Sequence, residues 1–367
     1  MVESPQAGTA GSRGMPASIR RVLVVQTQRL GDVVVLTPTL TALRRRFPEA
    51  KLDVLVHRPQ DTLLLGHPDV NDVMTYDRQT THRSPLARLS LARELRRRRY
   101  DWALVIHAAS SVAAALCLAG IRAKTCVWRY GPDRPPALAW CYSGRVVQHR
   151  EREARHEVEH NLDVLRELGI EPDHDGLRLP VTQAEQAEAD RILTDSGRVT
   201  AARLAVLHAG HGGGRQCWSP ARYAALGDRL AGLGMQVALT GSPKEVDLSQ
   251  EISRSMAHDP VFLAGKMSLR VLVAALARAD VFVSVPTGPM HLAASQGVPV
   301  VALYGPSDLD IDRARFHPYG VPYRAVTSTI PCNCPGSHTC ELPICMDGIS
   351  VGAVAAAVES LFAGHVT

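Results

Sequence analysis

The sequence predicts an α/β protein of two lobes, each a parallel sheet with helices on both faces. Three observations carry this reading. At 367 residues the chain exceeds what one hydrophobic core usually organises. Short apolar runs alternate along it with segments whose apolar residues recur at helical spacing. The alternation pauses at the polar, proline-flanked stretch 172–180 and then begins again. The predicted division is a disordered tail over residues 1–18, a first lobe over 19–180 and a second over 181–367.

The tail is rich in Gly, Ser, Ala and Pro and lacks the apolar middle of a secretory signal, so Met15 is an alternative start and the cytoplasm the expected location. The first strand spans 21–25. A loop over 26–32 and a helix over 33–47, ended by Pro48, lead to an alternating strand over 51–56. Further elements of this lobe are a strand over 70–76, a basic amphipathic helix over 85–98, a buried strand over 101–106 and an Ala-rich helix over 110–119. A helix over 151–168 places Val158, Leu162, Leu165 and Leu168 on one face and ends at Gly169.

The second lobe repeats the scheme. Strands are predicted over 204–207, 236–240, 261–263, 281–284 and 300–304, and helices over 220–233, 245–256, 268–277 and 289–296. In open α/β sheets ligands lie beyond the carboxyl ends of the strands. The loops at 26–32, 208–218, 241–245 and 285–291 are therefore the candidate binding positions.

Composition narrows the function. Hydrophobic residues make up 46% and charged residues 21%, the balance of a soluble globular chain. No apolar run approaches the length of about eighteen residues that a spanning helix needs. The net charge of +5, from 41 Lys and Arg against 36 Asp and Glu, suits phosphate-bearing ligands or an anionic membrane face and is equally explained by solvated surface. The arginines at 93–99 read as the polar end of a helix, open to peripheral membrane contact or to solvent alone. Without aromatic interleaving they do not indicate nucleic acid. Of eight cysteines, Cys117, Cys126, Cys141 and Cys217 are scattered and Cys332, Cys334, Cys340 and Cys345 clustered. Without an export signal, disulfides are disfavoured. Dinucleotide, Walker, zinc-protease and α/β-hydrolase fingerprints are absent from the sequence.

Three stretches can carry chemistry. Residues 281–291 read as a buried strand turning through Thr287-Gly288 into a helix that opens near Pro289. Such a junction aims N–H groups and a partial positive charge at one point, fit for a diphosphate, with Thr287 adding a hydroxyl and His291 one turn further in. The plain structural alternative is an N-cap Thr287 and an interior His291. In the second stretch, Gly31 lets backbone approach a ligand and Asp32 either caps the helix that it opens or deprotonates a sugar hydroxyl. In the third, three glycines after His208 and His211 precede Arg215, which can meet phosphate oxygens, or else form a flexible surface loop.

In their joint order these stretches resemble the ADP-heptose glycosyltransferases of glycosyltransferase family 9. The likeness runs from about Arg21 to Val354. It is carried by Arg29-Leu-Gly-Asp-Val33, Thr37-Pro38, His67-Pro-Asp-Val70, the His156–Leu162 motif, the His208-Ala-Gly loop with Trp218 and Gly241-Ser-Pro-Lys-Glu245. Lys266-Met-Ser-Leu269, Thr287-Gly-Pro-Met-His-Leu-Ala-Ala294, Tyr304-Gly-Pro306 with Asp308, and Cys345-Met346 complete it. The resemblance implies the GT-B fold, two Rossmann-like domains facing across a cleft, with an N-terminal acceptor domain and a C-terminal donor domain. It further implies inversion at the anomeric carbon without a metal or other cofactor, the nucleotide sugar being a co-substrate, ADP-linked as the family's donors are.

The roles it implies are Asp32 as general base, Thr287, Gly288 and Pro289 at the diphosphate, Glu245 at the ribose and Met267 at the adenine. Two positions depart from the family pattern. Pro286 stands where Asp usually precedes Thr-Gly, and Gln216 where a Lys usually precedes the Trp by two residues. Arg215 is the expected replacement for the missing positive charge, a different donor sugar the competing account. The expected partners are a nucleotide-sugar donor and a glycan or small-molecule acceptor, with the chain a monomer. The cysteine cluster is compatible with a structural zinc, free thiols or packing being preferred. The rival readings are a nucleotide-sugar epimerase of the same fold and a non-catalytic nucleotide-sugar binder.

Overall fold

The computed structural model describes residues 18–77, 79–121, 123–128, 138–148, 154–210, 217–305, 310–330 and 344–363. By its backbone contacts the chain divides into two units. The first comprises residues up to 28 together with 39–151 and 159–174, and the second 29–38, 152–158 and 175–367. Residues 29–38 and 152–158 thus go with the second unit, two excursions that sequence periodicity does not reveal.

The first unit holds a six-stranded parallel sheet in the order β3-β2-β1-β4-β5-β6. Its strands are β1 (Arg21–Gln26), β2 (Lys51–His57), β3 (Asp72–Tyr76), β4 (Trp102–His107), β5 (Ala123–Trp128) and β6 (Gly144–Val147). β1 pairs with β2 in the register Arg21↔Lys51 and with β4 in the register Val22↔Trp102. Runs such as Val22-Leu-Val-Val25 are buried on both faces, the signature of a parallel sheet covered by helices. The helices between strands are α2 (Thr37–Arg46), α3 (Pro85–Arg98) and α4 (Ser110–Leu118), with α5 (Glu157–Glu167) after the last strand, while α1 (Leu30–Val34), which follows β1 in sequence, goes with the second unit.

The second unit repeats the plan in the order β12-β11-β10-β7-β8-β9. Its strands are β7 (Arg203–His208), β8 (Met235–Thr240), β9 (Val261–Phe262), β10 (Val281–Ser284), β11 (Val300–Tyr304) and β12 (Tyr323–Thr327). Around them lie α6 (Gln183–Asp195), α7 (Pro220–Gly232), α8 (Val246–Ser255), α9 (Leu269–Leu276), α10 (Gly288–Ser295), α11 (Asp310–Arg315) and α12 (Val351–Ala363). Counted from its first strand, each sheet runs 3-2-1-4-5-6, the doubly wound order in which ligands bind where the strand sequence reverses. In the second unit that point lies between β7 and β10.

Several elements differ from expectation. The single helix predicted over 33–47 is two, because Pro38 has no N–H and its ring would strike the carbonyl of Val34 in a continuous helix. The Thr37 hydroxyl donates to that carbonyl instead, at 2.8 Å. The helix predicted from 151 begins at Glu157, and residues 154–156 are not helical. β5, β6, β12, α6, α11 and α12 are additions. The disfavoured disulfide is present. Cys117 at the end of α4 and Cys141 before β6 are bonded, with Cα atoms 5.9 Å apart, within the range a disulfide spans.

Among the described residues no helix is long and apolar enough to cross a membrane. Residues 1–17 of the expected tail, and Arg215, Gln216, Cys332, Cys334 and Cys340, lie outside the described residues. Cys345 is buried. Among the described residues no group of three or more His, Cys, Asp or Glu is placed to hold a metal ion.

Candidate functional site

The second sheet presents β10, β7, β8 and β9 in adjacent order, and the predicted donor residues follow their carboxyl ends. At β10 the chain leaves the sheet through Val285 and Pro286 and enters α10 at Gly288, with Thr287 as an extended N-cap, φ −141° and ψ 168°. Thr287 makes no side-chain cap bond, and its Oγ1 is buried without a hydrogen-bond partner. A buried hydroxyl left unpaired costs on the order of 1–3 kcal/mol, so an acceptor supplied by a ligand would recover real energy there. Pro289 contributes no N–H. The donors that this helix start offers are therefore the hydroxyl of Thr287 and the N–H of Gly288.

Gly288 is fixed by close approach rather than by backbone conformation. A Cβ at this position would lie 2.6 Å from Leu30 Cδ2 and 2.8 Å from Leu30 Cβ. Gly31 answers it from α1, where a Cβ would come 3.0 Å from the His291 ring and 3.8 Å from Gly288 Cα. Two helix starts distant in sequence thus meet glycine to glycine. Gly31, Gly288 and His291 come together, with Asp32 the next residue on α1.

Asp32 is not the N-cap that its sequence position suggests. α1 begins at Leu30, and the Asp32 carboxylate reaches back to accept the N–H of Arg29 at 3.1 Å. This contact holds one carboxylate oxygen in a fixed direction at the helix start.

His291 is buried, with Nδ1 unpaired. Burial foremost, then the charge of His317, lowers its pKa from 6.5 to about 4. Beside it is His156, whose ring centroid is 6.4 Å away. Its Nδ1 accepts the N–H of Val158 at 3.0 Å and its Nε2 lies 2.9 Å from the carbonyl of His317, which selects the neutral ring with the proton on Nε2. Burial, then His317 and His291, lowers the His156 pKa to about 3. The next residue, Glu157, is 1% exposed in its side chain and pairs with Arg315 at 3.1 Å. Sequence reasoning placed His156 in a motif without a role and did not single out Arg315 or His317. A buried acid and an arginine so far apart in the chain leave no local signal.

The nucleoside end of the predicted site is built on β7 and β8. His208 Nδ1 faces the carbonyl of Thr240 at 3.2 Å, and the ring stacks on Phe282. A Cβ at Gly210 would fall on Glu245 Oε1 and 2.8 Å from His208 Nε2, so this glycine is what lets the carboxylate lie against the loop. Glu245 Oε2 also accepts the N–H of Ser242 at 2.7 Å. Met267 is half-buried on the next loop, which the Gly265 N–H ties to the carbonyl of Gly241 at 2.9 Å. Glu245 and the Met267 loop are therefore neighbours at the same sheet edge.

Residues 88–344 match the family model for glycosyltransferase family 9 (heptosyltransferase). The chain belongs to glycosyltransferase family 9. It is accordingly a glycosyltransferase. It is 26% identical over 283 residues to lipopolysaccharide heptosyltransferase 3 of Escherichia coli, a match spanning 76% of this chain and 81% of that protein. A family 9 glycosyltransferase of Veillonella parvula superposes with a TM-score of 0.83 at 22% identity, over 96% of this chain and 99% of the other. The ADP-heptose lipopolysaccharide heptosyltransferase II of E. coli does so with a TM-score of 0.73 at 22% identity, over 95% and 100%. The GT-B fold expected from the sequence is the fold of these structures.

Proposed function

We propose that this family 9 enzyme moves a heptose from ADP-heptose to a hydroxyl of a glycan of the lipopolysaccharide-core type, with inversion and without a metal. The observation that carries the reading is the sheet edge itself. Thr287 and Gly288 at β10, Gly210 at β7, Glu245 at β8 and Met267 beyond β9 follow one another across three strand spacings, about 14 Å in all. That order suits diphosphate, ribose and adenine laid out in turn, and the names of the relatives favour ADP-heptose as the donor.

In this mechanism Thr287 Oγ1, the Gly288 N–H and the start of α10 hold the diphosphate. Pro289 fixes that start and His291 supports it from beneath. The acceptor oxygen attacks the anomeric carbon, its proton passes to Asp32, and the bond from the anomeric carbon to the β-phosphate oxygen breaks to release ADP. Arg215 offsets the charge that develops on the leaving phosphate, and Gln216 takes the place of the usual lysine beside it. No other co-reactant is needed for the balance.

The test is Asp32→Asn. ADP should still protect the variant against thermal unfolding, while turnover with ADP-heptose falls by about 10²–10⁴-fold, the usual contribution of a general base. Wild-type turnover would remove Asp32 as the base. A panel of nucleotide sugars in the same melting assay checks the donor, and protection by another sugar nucleotide in preference to ADP-heptose would overturn that choice.

A further inference from the structure

We propose that the outward face of α3, together with the end of α4 and the turn at 139–141, is a docking surface for an anionic lipid bilayer. All of it lies in the first unit, and it stands independently of the sugar that the enzyme transfers.

The outward stripe of α3 carries Leu86 and Leu89 in its first half and Arg93, Arg96 and Arg97 in its second, all exposed. The opposite face, with Leu91, Ala92 and Leu95, is buried in the core shared with α4. The acid on this helix, Glu94, is held by Arg98 at 2.9 Å, so the outward stripe carries cations without a neighbouring carboxylate of its own. Arg99, exposed at the helix end in the left-handed conformation, extends the basic half.

The ends of α3 and α4 reach the same edge of the sheet, because the strands that follow them pair in the register Trp102↔Ala123. At that edge Leu118, the last residue of α4, is 62% exposed, and Trp140 is 81% exposed. The Cys117–Cys141 bond joins their immediate neighbours, which brings the backbone at Leu118 and Trp140 together. Leu86, at the start of α3, is 78% exposed.

Single exposed leucines are ordinary and need no account. Here two exposed leucines share the outward stripe of α3 with three arginines, and an exposed leucine and an indole stand at the sheet edge where that helix ends. That combination fits an interface in which apolar groups enter the acyl boundary, guanidinium groups stay at the phosphate level and an indole sits between them. Binding to a nucleic acid would satisfy the arginines and leave the leucines in water. A bilayer of anionic lipid satisfies both.

The experiment is co-sedimentation of the full-length protein with vesicles of phosphatidylcholine alone or mixed with phosphatidylglycerol, at low and high salt. Binding should require phosphatidylglycerol and weaken with salt. Replacing Arg93, Arg96 and Arg97 together by Gln should lower the partition coefficient by about 100-fold, at roughly fivefold for each charge removed near the surface. Leu86→Ser with Trp140→Ser should lower it without changing the salt dependence. Should the triple variant melt early, Arg97→Glu alone serves, as a single exposed change. The proposal fails if phosphatidylglycerol adds no binding, or if binding persists unchanged in these variants. It also fails if the protein self-associates without lipid and the same variants abolish that, since the face would then cover a second copy.

Discussion

One added methyl group at Gly288 tests whether the junction of α1 and α10 holds the reacting groups in place. In Gly288→Ala the new Cβ would lie 2.6, 2.8 and 2.9 Å from Cδ2, Cβ and Cγ of Leu30. Carbon atoms in ordinary contact sit about 3.5–4.0 Å apart, so the deficit is close to 1 Å. A new Leu30 rotamer moves Cδ2 and Cγ aside but leaves Cβ, which is fixed to the α1 backbone. The start of α1 must therefore shift, and it carries Gly31 and Asp32. Overpacking of this kind costs about 1–3 kcal/mol. A loss of that size lowers the Tm by on the order of 2–10 °C in a unit of this size. Displacement of a reacting group by about 1 Å costs roughly 100-fold in rate.

The assay is Tm together with kcat and KM from ADP release. Turnover should fall more than donor affinity, because Asp32 moves while Thr287 keeps its place on α10. The double variant Leu30→Ala with Gly288→Ala removes two of the three close atoms and should recover part of both losses, a coupling of about 0.5–3 kcal/mol. A Gly288→Ala enzyme with unchanged Tm and kcat would refute the packing argument. A lowered Tm with unchanged kcat would keep the packing and detach Asp32 from the reaction.

Four further outcomes are expected. Thr287→Val removes a buried hydroxyl that lacks a partner, so the Tm should hold or rise while calorimetry finds ADP bound about 3–10-fold more weakly, the worth of one hydrogen bond. Gly210→Ala forces Glu245 and His208 away from the loop and should weaken ADP binding in the same assay, with an unchanged Kd counting against the nucleoside end proposed here. Arg315→Met removes a guanidinium that pairs with the buried Glu157 carboxylate and should lower the urea midpoint, the pair Glu157→Gln with Arg315→Met by less. Finally, the folded pKa values of His291 and His156 lie below the unfolded value of 6.5, at about 4 and about 3. The unfolded chain binds protons on these rings first as pH falls, so their stabilisation is full above pH 6.5 and is lost on going down towards pH 4 for His291 and towards pH 3 for His156. For His291 alone this amounts to roughly 3 kcal/mol, and His291→Gln should flatten the fall in urea midpoint between pH 7.5 and 5.

The elements legible in the sequence are those whose burial is uniform. β1, β7, β8, β10 and β11 are covered on both faces and read as plain apolar runs. β5 hides Lys124, whose ammonium is buried and donates to the carbonyl of Ile121 at 2.7 Å, a tertiary solution that no period predicts. β12 lies at the sheet edge with its side chains largely exposed. α6 was open to detection through its capping box, Thr182 with Glu185, since that pattern is local. The site divides in the same way. Turn chemistry marks Thr287-Gly288 and Gly31-Asp32 one at a time, but the contact of Gly31 with His291 and of Gly288 with Leu30 belongs to the tertiary structure. The backward cap from Asp32 to Arg29 needed the true start of α1.

Under the proposed function, the two prolines around Thr287 let this chain depart from its family pattern and keep the phosphate end of the site. Pro286 and Pro289 each fix φ and withhold an N–H, so the turn between β10 and α10 has little freedom, and its donors are concentrated in Thr287 and Gly288. Under the proposed function a diphosphate would meet backbone, hydroxyl and helix dipole there, none of which depends on the residue at 286. An Asp at 286 would add a carboxylate suited to sugar hydroxyls and repelled by phosphate. On that reading, proline in its place alters the contacts open to the sugar and leaves the proposed diphosphate cradle in place, with less conformational entropy to lose when a donor binds.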